Sequence, residues 1–252
     1  MDRLALALLV TVPCLAGCPW AREPVVPIPV EAHEPTPVAE AEGLLVLLPG
    51  IYDAPEDFRR RGVIDELARV APRFNALMVD AHIGYYHAED HNIVERLRED
   101  VILPARRRGY RRIWLAGISL GGFGSLIYAS QHPDHVDGII AIAPYLGPDD
   151  LTDEVVAAGG LGPWGPDDPS SYEGEARFFR QLWAWLDGYA DRNPRPPLFL
   201  GYGADDRFAP TNAILAAALP PPRVLVVEGG GHDWATWTPM ITELAADALT
   251  AR

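Results

Sequence analysis

The sequence predicts an α/β fold in which helices cover both faces of a mostly parallel, doubly wound sheet of about six strands. The 252-residue chain is 48% hydrophobic and 22% charged, which is enough for one large core. From residue 44 onward, short apolar runs alternate with longer amphipathic stretches. This alternation is typical of strand–helix–strand units that build a parallel sheet buried on both faces.

Residues 1–17 are predicted to be an export signal that is removed. Residues 4–17 form an uncharged apolar run, too short for a membrane-spanning helix of about 20 residues but long enough for a signal-peptide core. The run ends in Leu-Ala-Gly-Cys at Cys18, which resembles the lipobox of bacterial lipoproteins. The resemblance implies that Cys18 is the lipid attachment site through which the protein contacts the membrane. The alternatives are an ordinary cleaved signal and an uncleaved N-terminal helix.

Residues 18–43 are predicted to be the lipidated cysteine followed by a proline-rich tether. Six prolines lie within residues 19–43, and proline fixes φ and lacks an N–H donor, so an extended linker is expected rather than paired strands. Pro19 stands after Cys18 where an aspartate would favour the inner membrane. The expected location is therefore the bacterial cell envelope, at the outer membrane.

Six apolar runs are predicted to be strands of a domain that spans residues 44–252. They are too short for helices, rich in branched residues, and bounded by Gly, Pro or Asp. The runs are Leu44–Leu48, Ala76–Val79, Ile113–Ala116, Ile139–Ala143, Leu198–Leu200 and Val224–Val227. Helical patterns occupy residues 59–70, 93–108, 120–131, 210–218 and 236–250.

Residues 145–196 separate two predicted strands without supplying one, and are rich in Gly, Pro, Asp and Trp. So long a connection in a compact domain is usually functional. It is expected to form a short cap over the carboxyl ends of the strands, where open α/β sheets bind ligands. Its aromatic residues either form a hydrophobic ligand pocket or only pack the cap onto the body. They are Trp164, Phe178, Phe179, Trp183 and Trp185.

Ser119 lies at the centre of a G-x-S-x-G motif, between a predicted buried strand and a predicted helix. A serine at the tip of such a turn projects its hydroxyl into a cleft, and the flanking Gly117 and Gly121 are needed because these positions approach neighbouring backbone closely. Ser119 is therefore the candidate nucleophile. The alternative is a turn that only packs or that binds phosphate, but a phosphate loop would use a lysine, and the chain has none.

A serine nucleophile needs a histidine base, and that base an orienting acid. His232 follows the last predicted strand in a glycine-rich loop, which would let its imidazole reach back over the serine. The acid is expected after the preceding strand, where Asp206 stands three residues beyond Gly203. Asp206 is the candidate, and its neighbour Asp205 is the alternative.

Attack by a serine on a carbonyl carbon also needs two backbone N–H groups that stabilise the oxyanion. The residue after the nucleophile, Leu120, is expected to supply one of them. The loop after the first predicted strand supplies the other, with Ile51 as the candidate and Tyr52 as the alternative.

From about residue 44 to its end, the chain resembles the α/β-hydrolase superfamily, in particular bacterial serine esterases. The resemblance rests on the stretches around Ser119, Asp206 and His232, and implies hydrolysis of a small-molecule carboxylic ester through an acyl-enzyme on Ser119, without a cofactor. Two departures from the usual sequence pattern of the family are expected. Pro49-Gly50 replaces the usual His-Gly of the oxyanion loop, and the tether takes the place of the usual leading antiparallel strands.

Other features narrow the function further. A net charge of −14 argues against a nucleic-acid partner. His87 and His91 have the spacing of metal ligands on a helix, but a polar loop is favoured and no metal site is predicted. Thioesterase or amidase activity would use the same triad, and a non-catalytic binding module of the envelope is the remaining alternative.

Overall fold

The structure is a computed structural model that describes residues 22–87, 92–190 and 195–250. Its strands are β1 (Val30–His33), β2 (Gly43–Leu48), β3 (Phe74–Val79), β4 (Ile113–Ile118), β5 (Gly138–Ile142), β6 (Leu198–Gly203) and β7 (Val224–Val227). They form one sheet in the order β1-β3-β2-β4-β5-β6-β7. β1 is antiparallel to β3, and the other neighbouring pairs are parallel. The mostly parallel α/β sheet is therefore confirmed.

Helices fill most of the connections between the strands. The described α-helices are α1 (Pro55–Arg60), α2 (Val63–Val70), α3 (Gly84–His87), α4 (Ile93–Arg96), α5 (Leu103–Arg108), α6 (Leu120–Gln131), α7 (Asp149–Ala157), α8 (Gly174–Asp187), α9 (Ala209–Ala218) and α10 (Trp234–Thr250). A π-helical segment, Leu97–Ile102, joins α4 to α5. The predicted helix over 93–108 is thus confirmed as one continuous run, whereas the one over 59–70 is two helices that begin earlier, at Pro55.

Two hydrophobic clusters cover the two faces of the sheet. Along β2, Leu44, Val46 and Leu48 belong to one cluster, and Leu45 and Leu47 belong to the other. This alternation follows from the two-residue period of a strand, and it explains why β2 is apolar at every position. Helices α3 to α9 pack on the first face, and α1, α2 and α10 pack on the second.

Among the described residues, β1 raises the strand count from the predicted number of about six to seven. Val30–His33 lies inside the stretch predicted to be a tether, and pairs with β3 from Val30↔Val79 to His33↔Ala76. The four residues lie between Pro29 and Pro35 and contain no proline. An edge strand needs hydrogen bonds on one side only, so this short proline-free stretch is sufficient. One leading antiparallel strand is therefore present.

The described part of the predicted tether, residues 22–43, is fixed to the body rather than free. We call residues 22–42 the N-terminal strap. Arg22 pairs with Asp80 at 2.6 Å, and the Ile28 N–H donates to Asp100 at 2.9 Å. Ile28 is itself buried. The prolines keep the strap extended, and polar side chains of the body supply the partners that a sheet would otherwise supply.

Residues 145–196 contain α7 and α8, which pack against α9 and α6 respectively. Trp164, Phe179 and Trp183 are buried in the hydrophobic cluster on the face of the sheet that α3 to α9 cover. The Trp183 indole N–H donates to the Leu146 carbonyl at 2.8 Å. These aromatic residues pack the insertion onto the body, which is one of the two roles that the sequence left open.

Within residues 22–87, 92–190 and 195–250, the structure has no helix that is both long and apolar enough to span a bilayer. The predicted export signal (1–17) and Cys18 lie outside the described residues.

Candidate active site

Ser119 occupies a strained turn between β4 and α6. Its φ is +53° and its ψ is −111°, a backbone conformation that a non-glycine residue adopts only when its surroundings enforce it. The Ser119 N–H donates to the Ile142 carbonyl at 2.8 Å, and its carbonyl accepts from Phe123 and Tyr145. These bonds join the turn to β5 and α6, and they hold the serine at the carboxyl edge of the sheet.

The glycines around Ser119 are required by close backbone contacts. A Cβ atom on Gly117 would overlap the Gly121 carbonyl, and one on Gly121 would overlap the Leu48 carbonyl. The predicted reason for glycine at both positions is therefore confirmed. The same constraint recurs below the candidate acid, where a Cβ on Gly203 would overlap the Gly230 carbonyl.

His232 lies between Ser119 and Asp206. Its Nδ1 is 2.7 Å from Asp206 Oδ2, and its Nε2 is 3.0 Å from Ser119 Oγ. Because an ionised carboxylate can only accept, Nδ1 carries the proton, which leaves Nε2 free to accept from the serine hydroxyl. The structure thus brings the three predicted residues together in the arrangement that general-base activation of serine needs.

Asp206, rather than Asp205, contacts the histidine. The Asp206 side chain is fully buried, and its Oδ1 accepts the Phe208 N–H at 2.8 Å. Asp205 is exposed at the mouth of the site. A buried carboxylate with donors on both oxygens keeps a fixed orientation and fixes the imidazole in turn.

Aromatic rings restrain the imidazole of His232. The Phe208 ring meets it edge-on with centroids 5.1 Å apart, and the Trp237 ring does so at 4.9 Å. The Gly231 N–H donates to Thr236 Oγ1 at 3.1 Å. The glycine-rich loop is therefore fixed at its end by the first turn of α10.

Ser119 and His232 open onto a cavity of about 740 Å³. Its described lining comes from the predicted oxyanion loop, the end of α1, the serine turn, the loop of the acid, and the loop of the histidine with the start of α10. The residues are Gly50, Ile51, Tyr52, Asp53, Arg61, Ser119, Asp205, Arg207, His232, Asp233, Trp234, Ala235 and Trp237. Leu120 begins α6, where first-turn N–H groups have no partner within the helix. Ile51 and Tyr52 both line the cavity with Ser119. The described lining includes no residue of α7 or α8.

Asp53 is a cavity residue that sequence reasoning missed. The Trp234 indole N–H donates to Asp53 Oδ1 at 2.8 Å, and burial raises the pKa of the Asp53 carboxyl, with the nearby Asp57 also acting in that direction. This bond joins the oxyanion loop to the start of α10, two residues after His232. A contact between residues 181 positions apart leaves no local pattern that could have predicted it.

The remaining histidine candidates do not enter this site. His132 and His135 stack on each other with centroids 4.8 Å apart, beside Tyr128. Burial lowers the pKa of both imidazoles. His87 ends α3, and His91 lies outside the described residues. Among the described side chains, no group of three or more His, Cys, Asp or Glu is arranged to hold a metal ion.

Several solved structures with the same fold are hydrolases. S-formylglutathione hydrolase FrmB from Staphylococcus aureus has a TM-score of 0.61 at 18% identity, covering 84% of this chain and 85% of that chain. FphF, a fluorophosphonate-binding serine hydrolase of Staphylococcus aureus, has a TM-score of 0.61 at 16% identity, with coverages of 87% and 88%. Est1E from Butyrivibrio proteoclasticus, with ferulic acid bound, has a TM-score of 0.54 at 17% identity, with coverages of 89% and 97%.

At the level of sequence, no curated protein matches the chain. The model of the Esterase family matches residues 102–248, which is more than half of the chain and includes Ser119, Asp206 and His232. The chain therefore belongs to the Esterase family and is a serine ester hydrolase.

Proposed function

We propose that Ser119, His232 and Asp206 are the catalytic triad of this esterase, and that Ser119 carries the acyl group. The observation that supports this assignment is the continuous hydrogen-bonded path from Asp206 Oδ2 through His232 to Ser119 Oγ, at 2.7 Å and 3.0 Å. The strained backbone at Ser119 is a second support, since strain of this kind is maintained at functional positions.

In the proposed reaction, Ser119 Oγ attacks the ester carbonyl while His232 Nε2 takes its proton. Asp206 stabilises the imidazolium that forms. The backbone N–H groups of Leu120 and Ile51 stabilise the oxyanion of the tetrahedral intermediate. His232 then gives the proton to the leaving alcohol, and an acyl-enzyme remains on Ser119. Water then attacks the acyl carbonyl while His232 takes its proton. His232 returns that proton to Ser119 Oγ as the bond from the acyl carbon to Oγ breaks, which releases the acid and restores the serine.

Labelling with a soluble fluorophosphonate tests the triad, because this reagent reacts with an activated serine without requiring the natural substrate. We expect one adduct on the folded protein, mapped to Ser119 by mass spectrometry, and its loss in His232→Ala. His132→Ala is the matched control, because His132 lies in a separate histidine pair, and it should label like the parent. A folded parent without an adduct would contradict the proposal and favour a binding module.

The acyl donor is proposed to be a carboxylic ester. Among the relatives, one acts on S-formylglutathione, which is a thioester, and another binds ferulic acid. Matched ester, thioester and amide substrates with the same acyl group would separate these classes. Faster turnover of the ester than of the other two is the expected result.

We also propose that the protein is a lipoprotein of the bacterial cell envelope, held at the outer membrane through Cys18. The support is the Leu-Ala-Gly-Cys sequence after an apolar run of signal-peptide length. Metabolic labelling with a fatty-acid probe should mark the parent and not Cys18→Ser. Equal labelling of the two would contradict the anchor.

A further inference from the structure

We infer that the reaction site of the anchored protein faces the membrane, and that its substrates are esters held at a bilayer surface. The inference deepens the proposed function and rests on it, together with the lipid anchor proposed at Cys18. It is carried by the direction of β1, by the contacts of the N-terminal strap, and by the surface between the strap and Ser119.

The direction of β1 determines which edge of the sheet the anchor leaves from. Because β1 is antiparallel to β3, its first residue, Val30, pairs with Val79, the last residue of β3. The residues that precede Val30 therefore lie at the carboxyl edge of the parallel strands. Ser119 directly follows β4 at this same edge, so the described start of the strap and the reaction site share one side of the molecule.

The strap contacts keep the anchor close to the site. Arg22 pairs with Asp80, which directly follows β3, and its carbonyl packs against Gly84 so closely that a Cβ there would overlap it. β3 lies two strands from β4, which is about 10 Å at the usual strand spacing. Cys18 precedes Arg22 by four residues, which can span at most about 14 Å. A free tether over residues 18–43 would instead reach about 80 Å.

The surface beside the strap is suited to a bilayer. Val25, Val26 and Val30 of the strap are 54%, 49% and 43% exposed, and Tyr52 of the oxyanion loop is 61% exposed. Val30 and Tyr52 line the same groove. Exposed apolar side chains around a site mark an interaction surface, and tyrosine is favoured at the membrane interface. An acylated Cys18 would hold this surface at the bilayer at high effective concentration.

A groove of about 560 Å³ runs from the strap to the reaction site. It is lined by Arg22 at one end and shares Ile51, Tyr52 and Asp53 with the cavity of Ser119. Glu31, Glu56 and Asp80 also line it. These carboxylates oppose anionic headgroups. The inferred substrates are therefore esters of uncharged or zwitterionic amphiphiles.

Fluorescence quenching tests the orientation. The lipidated protein is reconstituted in phosphatidylcholine vesicles as Val25→Cys or, as the matched control, Arg111→Cys. Arg111 is exposed and lies two residues before β4, at the amino edge of the parallel strands and therefore on the side away from Ser119, and the mature sequence has no thiol besides Cys18. A fluorophore at position 25 should be quenched at least threefold more strongly by a nitroxide-headgroup lipid than one at position 111. Equal quenching would overturn the inference.

A linker insertion tests the consequence for substrates. A flexible Gly/Ser segment of about 25 residues between residues 21 and 22 would restore a long tether without changing the strap. We expect labelling of Ser119 by a long-chain fluorophosphonate embedded in the vesicles to slow severalfold, with no change for a soluble one. Unchanged labelling by the embedded reagent overturns the inference and leaves the triad intact. Loss of labelling by the soluble reagent in the uninserted parent contradicts the proposed function itself.

Discussion

The turn at Ser119 lies at the carboxyl edge of the sheet, whereas the N-terminal strap crosses from that edge to the amino edge, and the two are held in different ways. Backbone packing holds the turn, because Gly117 and Gly121 leave no room for a Cβ atom. Polar side chains hold the strap, as in the mutual hydrogen bonds of Asn75 with the Thr36 backbone and the Arg108–Glu34 pair at 2.7 Å. A small substitution should therefore disrupt the turn completely, whereas the strap should weaken contact by contact.

The largest effect, a loss of activity, is expected from removing the side chain of Ser119 or of His232. Ser119→Ala and His232→Ala should each lower kcat by about 10⁴-fold or more, because the nucleophile or its base is lost. The melting temperature should change little in Ser119→Ala, whereas it should fall in His232→Ala, because the buried Asp206 carboxylate loses its imidazole partner. Steady-state ester hydrolysis and thermal unfolding measure the two quantities. A His232→Ala variant that retains a tenth of the parent kcat would contradict the triad.

Filling the turn tests its dependence on backbone packing. Gly121→Ala should destabilise the fold by about 3 kcal/mol or more, because the added Cβ overlaps the Leu48 carbonyl. Gly62→Ala is the control, since its φ is +78° but nothing lies near its Cβ position. Gly62→Ala should lower the free energy of unfolding by only about 1 kcal/mol. Urea unfolding compares the two variants, and equal losses would contradict the role of crowding at Gly121.

The Asp53–Trp234 bond extends this comparison to the oxyanion loop. Trp234→Phe removes the indole donor to the Asp53 carboxyl, which should destabilise the protein by about 1.5–3 kcal/mol. It should also lower kcat about tenfold by loosening Ile51. Unfolding and steady-state kinetics check both. A parent-like kcat in a destabilised Trp234→Phe would assign the bond to folding alone.

Asp53→Asn separates the charge of Asp53 from its hydrogen bond. Because the folded-state pKa of Asp53 is raised by burial, the folded protein binds this proton more tightly than the unfolded chain. The parent should therefore lose stability as the pH rises from the ordinary carboxyl pKa through the raised one. Asp53→Asn keeps an acceptor for Trp234 and should flatten that loss. Urea unfolding between pH 4 and pH 7 measures it, and an identical slope in both proteins would contradict the assignment.

The smallest effect is expected in the strap. The Arg108 guanidinium holds the pKa of Glu34 below its ordinary value, and the Tyr110 hydroxyl acts in the same direction. The stability from this pair is present above the ordinary carboxyl pKa and is lost as the pH falls through the lowered one. Glu34→Gln should lower the free energy of unfolding by less than about 1 kcal/mol at pH 7. It should also increase hydrogen exchange in residues 22–42. Glu40→Gln is the control on the same strap, and equal exchange in the two variants would contradict the role of the pair.

The same difference explains what the sequence could predict. The turn is fixed by backbone contacts that only glycine permits, so Gly117, Ser119 and Gly121 are recognisable in the sequence, and the strand before them is uniformly apolar. Asp206 and His232 follow strands in chain order, which made them candidates although they meet only in space.

The strap and the Asp53–Trp234 bond could not be predicted in this way. Four residues between prolines carry too little pattern to indicate β1, and its pairing partner, β3, is separated from it in the chain by β2. The partners of Arg22, Glu34 and Asp53 are distant in the chain, and a polar side chain that forms such a bond looks in the sequence like any solvated one.

The most direct test of the triad is to trap the acyl-enzyme. The protein is mixed with a p-nitrophenyl ester, quenched with acid during turnover, digested, and examined by mass spectrometry. We predict that the acyl mass appears on the peptide that contains Ser119, and that Ser119→Ala neither turns over nor carries it. Continued hydrolysis by Ser119→Ala, or an acyl group on a different residue of the parent, would contradict the account.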